Sequence, residues 1–313
     1  MNEEKNEGWE RDLVNKLAFS AISEQRKARR WGIFFKIAFL LYLITLPIIF
    51  ISGEGVSSSL PVGEHTALVN LSGIITSDSD ASADVVVAGL RDALENKNSK
   101  ALIIRANSPG GSPVQADYMY NEILRLRKKY PNKPVYAVVT DVCASACYYI
   151  ISATEKIYAN KASIVGSIGV LSNGFGFVGS MKKLGIERRL YTAGKNKGAL
   201  DPFSPEKPED VAHMKDLMSD VHQIFIDSVK KGRGDRLKET PDMFSGLFWS
   251  GSKAKEMGLI DDFASSGKVA RDIVGKKEIV DYTPRKNLLD KLVDRLGASI
   301  ATNILPSNKL IIR

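Results

Sequence analysis

The chain has 313 residues, 44% of them apolar, with 44 Lys and Arg against 36 Asp and Glu for a net charge of +8. This is enough apolar material for one globular domain with added segments, and it excludes a disordered chain or a small disulfide-stapled scaffold. Cys143, Cys147, His65, His213 and His222 fall in no metal-ligand spacing, so no metal or other cofactor is expected; bases alternate with acids instead of clustering with aromatics, so no nucleic-acid partner is expected either.

The first feature along the chain is the run 33–51, IFFKIAFLLYLITLPIIFI, whose one charge, Lys36, lies near an end where its stem can reach the membrane interface. The run is long enough to cross a bilayer. Arg26, Lys27, Arg29 and Arg30 precede it and the SGEGVSSSL stretch after it carries no base, which places the N-terminus in the cytoplasm. The leading segment is too long for a cleaved signal peptide and no small-x-small site follows, so the span is expected to remain as an anchor. The expected organisation is a cytoplasmic segment 1–30, a transmembrane anchor 31–52 and a Gly/Ser-rich linker 53–65. A folded domain 66–275 on the extracytoplasmic or periplasmic side and a basic tail 276–313 with an amphipathic LLDKLVDRLGASIA pattern complete it.

Within the folded domain, aliphatic runs at 66–76, 101–106 and 135–140 read as buried strands, and amphipathic patterns at 83–96 and 114–129 read as the helices between them. Continuous aliphatic strands separated by helices indicate βαβ units in an α/β fold with a parallel sheet covered on both faces. A strand at 156–159, a glycine-rich stretch 166–179, a strand at 187–192, a long helix from 205 to about 231 and a short helix at 251–257 are expected beyond it.

Three patterns can carry chemistry. Asn107-Ser-Pro-Gly110-Gly111-Ser112 follows a buried strand, and adjacent glycines there can turn backbone N–H groups toward a developing negative charge, although any strand-to-helix turn favours such residues. Asp141-Val-Cys-Ala-Ser145-Ala146-Cys-Tyr-Tyr149 follows another, and the small residues on each side leave the Ser145 hydroxyl uncovered at the carboxyl end of the sheet, unless it serves only as a helix cap. Ala193-Gly-Lys195-Asn-Lys197-Gly is a glycine-flanked loop whose lysines are either surface charges or a base. A nucleophilic serine needs a proton acceptor, and no histidine lies near these turns in sequence. A lysine can serve if a desolvated site lowers its pKa from about 10.4 toward neutrality.

These patterns, together with SIVGSIGVL (163–171) and FWSGSKAKEMGLIDDF (248–263), are similar in content and order to peptidase family S49 of the signal peptide peptidase A type, in its short, single-copy, membrane-anchored form. The resemblance covers about 66–265. It implies a Clp-protease/crotonase-like α/β fold with Ser145 as nucleophile and Lys197, the second lysine of the loop, as general base. It also implies an oxyanion hole from the backbone of Gly110, Gly111 and Ala146, and a ring-shaped homo-oligomer. The implied partners are peptide substrates such as cleaved signal peptides or fragments of membrane proteins. The chain departs from the family in carrying Ser145-Ala146-Cys147 where Ser-Gly-Gly or Ser-Gly-Ala is common. At i and i+4 on one helix, the Cα atoms of Cys143 and Cys147 are close enough for a disulfide, but both side chains would have to leave preferred rotamers, so buried reduced thiols are expected. The competing readings are a crotonase-like acyl-CoA enzyme and a catalytically inactive membrane scaffold.

Overall fold

The computed structural model describes residues 4–54 and 63–284, which divide into two compact units. In the first, Glu4–Glu54 is one continuous helix, α1, of 51 residues. No helix among the described residues is long and apolar enough to cross a membrane. The expected anchor 31–52 therefore has helical backbone without meeting that criterion; its side chains from Leu46 on lie outside the description. Most of the expected linker and of the basic tail also lies outside the described residues.

The second unit holds the sheet. Its elements are β1 (His65–Ser72), α2 (Ala83–Glu95), β2 (Ser99–Ser108), α3 (Pro113–Lys129), β3 (Val135–Ala144), α4 (Ala146–Ser152), β4 (Lys156–Ala159) and β5 (Ile164–Gly166). They continue with α5 (Val178–Leu184), α6 (Pro208–Arg233), β6 (Phe248–Ser250), α7 (Gly251–Glu256), β7 (Asp262–Phe263) and β8 (Ile279–Asp281). The strands run in the order β6-β5-β3-β2-β1-β8, with β4 beside β3 and β7 beside β4. Among the described residues only β5 and β6 pair antiparallel; the units β1-α2-β2 and β2-α3-β3 are the parallel crossovers expected from the sequence.

Neighbouring residues of one strand are buried on opposite faces, which is why the strand sequences are continuously aliphatic. Ile104 joins Leu90, Ile123 and Ile150 in the main core, whereas Ile103 joins Leu68, Val138 and Tyr158 beneath Val269 and Ala270. β3 forks the sheet: its first half, Tyr136 to Val138, pairs with β4, and its last residues, Val142 to Ala144, pair with β5.

Two expectations fail here. Residues 187–192 form no strand; they are exposed and their backbone pairs with no strand among the described residues, and an alternating segment becomes a strand only when a neighbour accepts its backbone hydrogen bonds. The stretch 166–179, read only as glycine-rich, closes β5 and opens helix α5. The tail does not begin at 276, because β8 pairs with β1 and extends the sheet.

Candidate active site

β2 and β3 end side by side, and each hands its chain to a helix through one of the turns singled out above. After β2, Ser112 caps α3 by accepting the Gln115 N–H, and Gly110 and Gly111 lie at φ 109° and 150°, in the region that side chains rarely adopt. Space enforces the same choice. A Cβ on Gly110 would stand 2.7 Å from the Ser145 Cβ, and one on Gly111 would land on the Ile75 carbonyl. This pair of glycines is therefore what lets the first turn lie against the second.

At the end of β3, Ser145 adopts φ 54° and ψ −126°, one of three non-glycine residues with positive φ among the described residues. Its N–H donates to the Gly166 carbonyl at 2.8 Å and its carbonyl accepts from the Tyr149 N–H at 3.0 Å, but its hydroxyl makes no capping hydrogen bond. Capping thus does not account for this serine. Ala146 is the first residue of α4, so its N–H has no acceptor within the helix. The Gly110 N–H donates to Ser108 Oγ at 3.1 Å, whereas the Gly111 N–H donates to no protein group among the described residues.

Ser145, Ala146 and Gly111 line one cavity of about 600 Å³. Tyr149, Val221, Phe225 and Phe244 make its wall largely apolar. Tyr149 and Phe225 stack with ring centroids 5.0 Å apart, and the Tyr149 hydroxyl donates to Asp117 Oδ1 at 2.9 Å. Burial pushes the Tyr149 phenol up to about 12, so this wall is uncharged at neutral pH. His222 also lines the cavity; its Nε2 must carry the proton, because its partner at 3.2 Å is the Ile168 carbonyl, which can only accept. A larger cavity of about 930 Å³ opens at the fork of β3, lined by Arg105, Asp141, Lys161 and Phe263, and includes none of the candidate residues.

Lys197 does not join them. It sits exposed in the turn 194–200, where its N–H donates to the Gly194 carbonyl at 3.1 Å, and it does not line the Ser145 cavity. The surrounding segment is folded on itself: Phe177 stacks on Phe203 at 5.2 Å, and Asp201 faces Arg188 at 3.4 Å. It nevertheless leaves Leu171, Phe175, Leu184 and Tyr191 exposed. The structure thus brings together Ser145, Ala146, Gly110 and Gly111, and holds Lys197 apart from them. Sequence reasoning missed His222, Val221, Phe225 and Phe244, which look like ordinary helix and loop residues until the fold turns them toward Ser145.

The cysteines also differ from expectation. Cys143 and Cys147 form a disulfide, with Cα atoms 5.2 Å apart. They do not share a helix. Cys143 belongs to β3 and Cys147 to α4, and the turn at Ser145 brings them together, so the one-helix geometry behind the expected rotamer conflict does not apply.

The family model for peptidase family S49 matches residues 127–279. A chloroplastic serine protease, SPPA, of Arabidopsis thaliana is 32% identical over 230 residues, covering 70% of this chain and 33% of that protein. Protease 4 of Haemophilus influenzae is 32% identical over 210 residues, 65% of this chain and 33% of that one. A protein of Brucella abortus named Na(+)/H(+) antiporter NhaA is 44% identical over 209 residues, but these make up 66% of this chain and only 28% of the relative. The chain thus spans about a third or less of the length of these relatives.

Proposed function

Because the chain belongs to peptidase family S49, we propose that it is a membrane-anchored serine endopeptidase of the signal peptide peptidase type, with a Clp-protease/crotonase-like catalytic body. The observation that carries this reading is Ser145 itself. A serine in a conformation unusual for a side chain, its hydroxyl uncommitted, stands over an apolar cavity between two unused backbone N–H groups. That arrangement suits acyl transfer: a nucleophile, donors for an oxyanion and a cleft for an apolar side chain.

In this mechanism Lys197, neutral, takes the proton of Ser145 Oγ as the oxygen attacks a peptide carbonyl. The oxyanion accepts hydrogen bonds from the N–H of Gly111 and of Ala146. Gly110 supplies the close approach instead, since its own N–H is committed to Ser108. The protonated lysine then gives its proton to the leaving amine, and water hydrolyses the acyl-enzyme. Lys197 comes from a neighbouring protomer of a ring. Its exposed, apolar segment is suited to pack on a second chain, and such packing would supply the desolvation that a lysine base requires.

The apolar cavity fits remnants of signal peptides and fragments of membrane proteins. The anchor in this reading is the run 33–51, whose side chains from Leu46 on lie outside the described residues, with the sheet on the extracytoplasmic side; the Cys143–Cys147 disulfide, a bond that persists in oxidising compartments, supports that placement. An acylating serine probe applied to the full chain should label the wild type and not Ser145→Ala. Equal labelling of both would refute the assignment.

A further inference from the structure

We infer that the Cys143–Cys147 disulfide is a clamp that positions Ser145, so that acylation depends on the oxidised state of this bond; the inference rests on the peptidase reading above. The bond spans the residues two before and two after the candidate nucleophile, one sulfur at the end of β3 and the other in the first turn of α4. Both side chains are fully buried in the main core. Between them Ser145 holds a backbone conformation that non-glycine residues adopt only where the surroundings impose it. The two hydrogen bonds of its backbone reach Gly166 and Tyr149, and neither ties the strand end to the helix start across the turn. The disulfide does.

The placement also argues against a merely stabilising role. Loop-closure stabilisation grows with the length of chain enclosed, and a bond between residues four apart encloses almost none. Its main effect is local. Reduction by a phosphine breaks the S–S bond: the two sulfurs gain two electrons and, from water, two protons, while the phosphine takes the water oxygen and becomes the phosphine oxide. The resulting thiols must move from bonding to van der Waals separation inside a packed core. That movement widens the turn and shifts Ser145 Oγ relative to the Gly111 and Ala146 N–H groups, and displacements of this size are costly in rate.

The test uses the full chain in detergent, unfolded with a phosphine and refolded either with the phosphine retained or with oxidised glutathione. Thiol titration verifies the state of both cysteines. A peptidyl phosphonate then reports its reversible affinity separately from its first-order rate of attachment to Ser145. The expected result is at least a tenfold slower attachment in the reduced chain, with reversible affinity and thermal midpoint nearly unchanged. Cys143→Ala/Cys147→Ala should behave as the reduced chain whatever the reductant. Attachment rates within twofold in the two redox states would overturn the clamp. So would a reduced chain that fails to fold where the oxidised one folds, since the bond would then be a folding requirement. Absence of labelling at Ser145 in the oxidised wild type would instead remove the peptidase reading itself.

Discussion

Ser145 at φ 54° has Ala144 on one side and Ala146 on the other, and their small side chains leave its hydroxyl open to the cavity. Among the described residues of one chain, that cavity offers no lysine or carboxylate to take its proton, only His222. Three substitutions decide between the possible bases. Lys197→Met keeps the length of the side chain and removes the amine, so acylation should fall by several orders of magnitude, while Lys195→Met falls far less. His222→Gln keeps a donor for the Ile168 carbonyl, and probe labelling should then stay within about threefold of wild type; a loss comparable to Lys197→Met would make the histidine the base.

At the scale of elements, the cavity wall depends on how α6 is fixed to the sheet. Arg233, the last residue of α6 and fully buried, donates through Nη1 to Asp261 Oδ2 at 2.8 Å and through Nε to the Gly258 carbonyl at 2.9 Å. The same carboxylate oxygen accepts the Ile157 N–H of β4 at 2.7 Å. Burial alone would raise the Asp261 pKa, but the hydrogen bond and charge of Arg233 outweigh it and hold it below the ordinary value. A depressed folded-state pKa contributes stability that is present above the unfolded value, about 3.9, and is lost as pH falls below it. Asp261→Asn should therefore cost about 3 kcal/mol at neutral pH, since it strands a buried guanidinium, and the variant should lose less stability than wild type on acidification through that window. Thermal or denaturant unfolding at pH 7 and pH 3 checks both.

This anchoring was not legible in the sequence, whereas β1 through β3 and their helices were. Aliphatic runs and helical periodicity are local signals, and the glycine pair announced a tight turn wherever it fell. β5 to β8, with two or three residues each, exist only because distant segments offer them partners. For the same reason nothing in the sequence marks Val221 and Phe225 as cavity wall, and the disulfide was misjudged because the strand runs as far as Ala144, past Cys143.

At the scale of the whole molecule, Ser145 lies on a rigid strand end, whereas Lys197 lies in a segment with apolar side chains turned to solvent. Tyr191 there is 89% exposed and Phe175 81%. Such surface is costly to leave in water and is suited to cover a second chain. If it carries Lys197 to the Ser145 of a neighbour, each site is built from two protomers, and mixing separates this from a dyad within one chain. A Ser145→Ala chain and a Lys197→Ala chain are each inactive alone. With an internal dyad every protomer of a mixed assembly remains dead. With a shared dyad, some interfaces pair an intact Ser145 with an intact Lys197, and random assembly of equal amounts makes such an interface a quarter of the total. Co-assembled full chains should accordingly recover about a quarter of wild-type probe labelling, confined to the chain that retains Ser145. No recovery in assemblies verified to hold both chains would return the dyad to a single protomer.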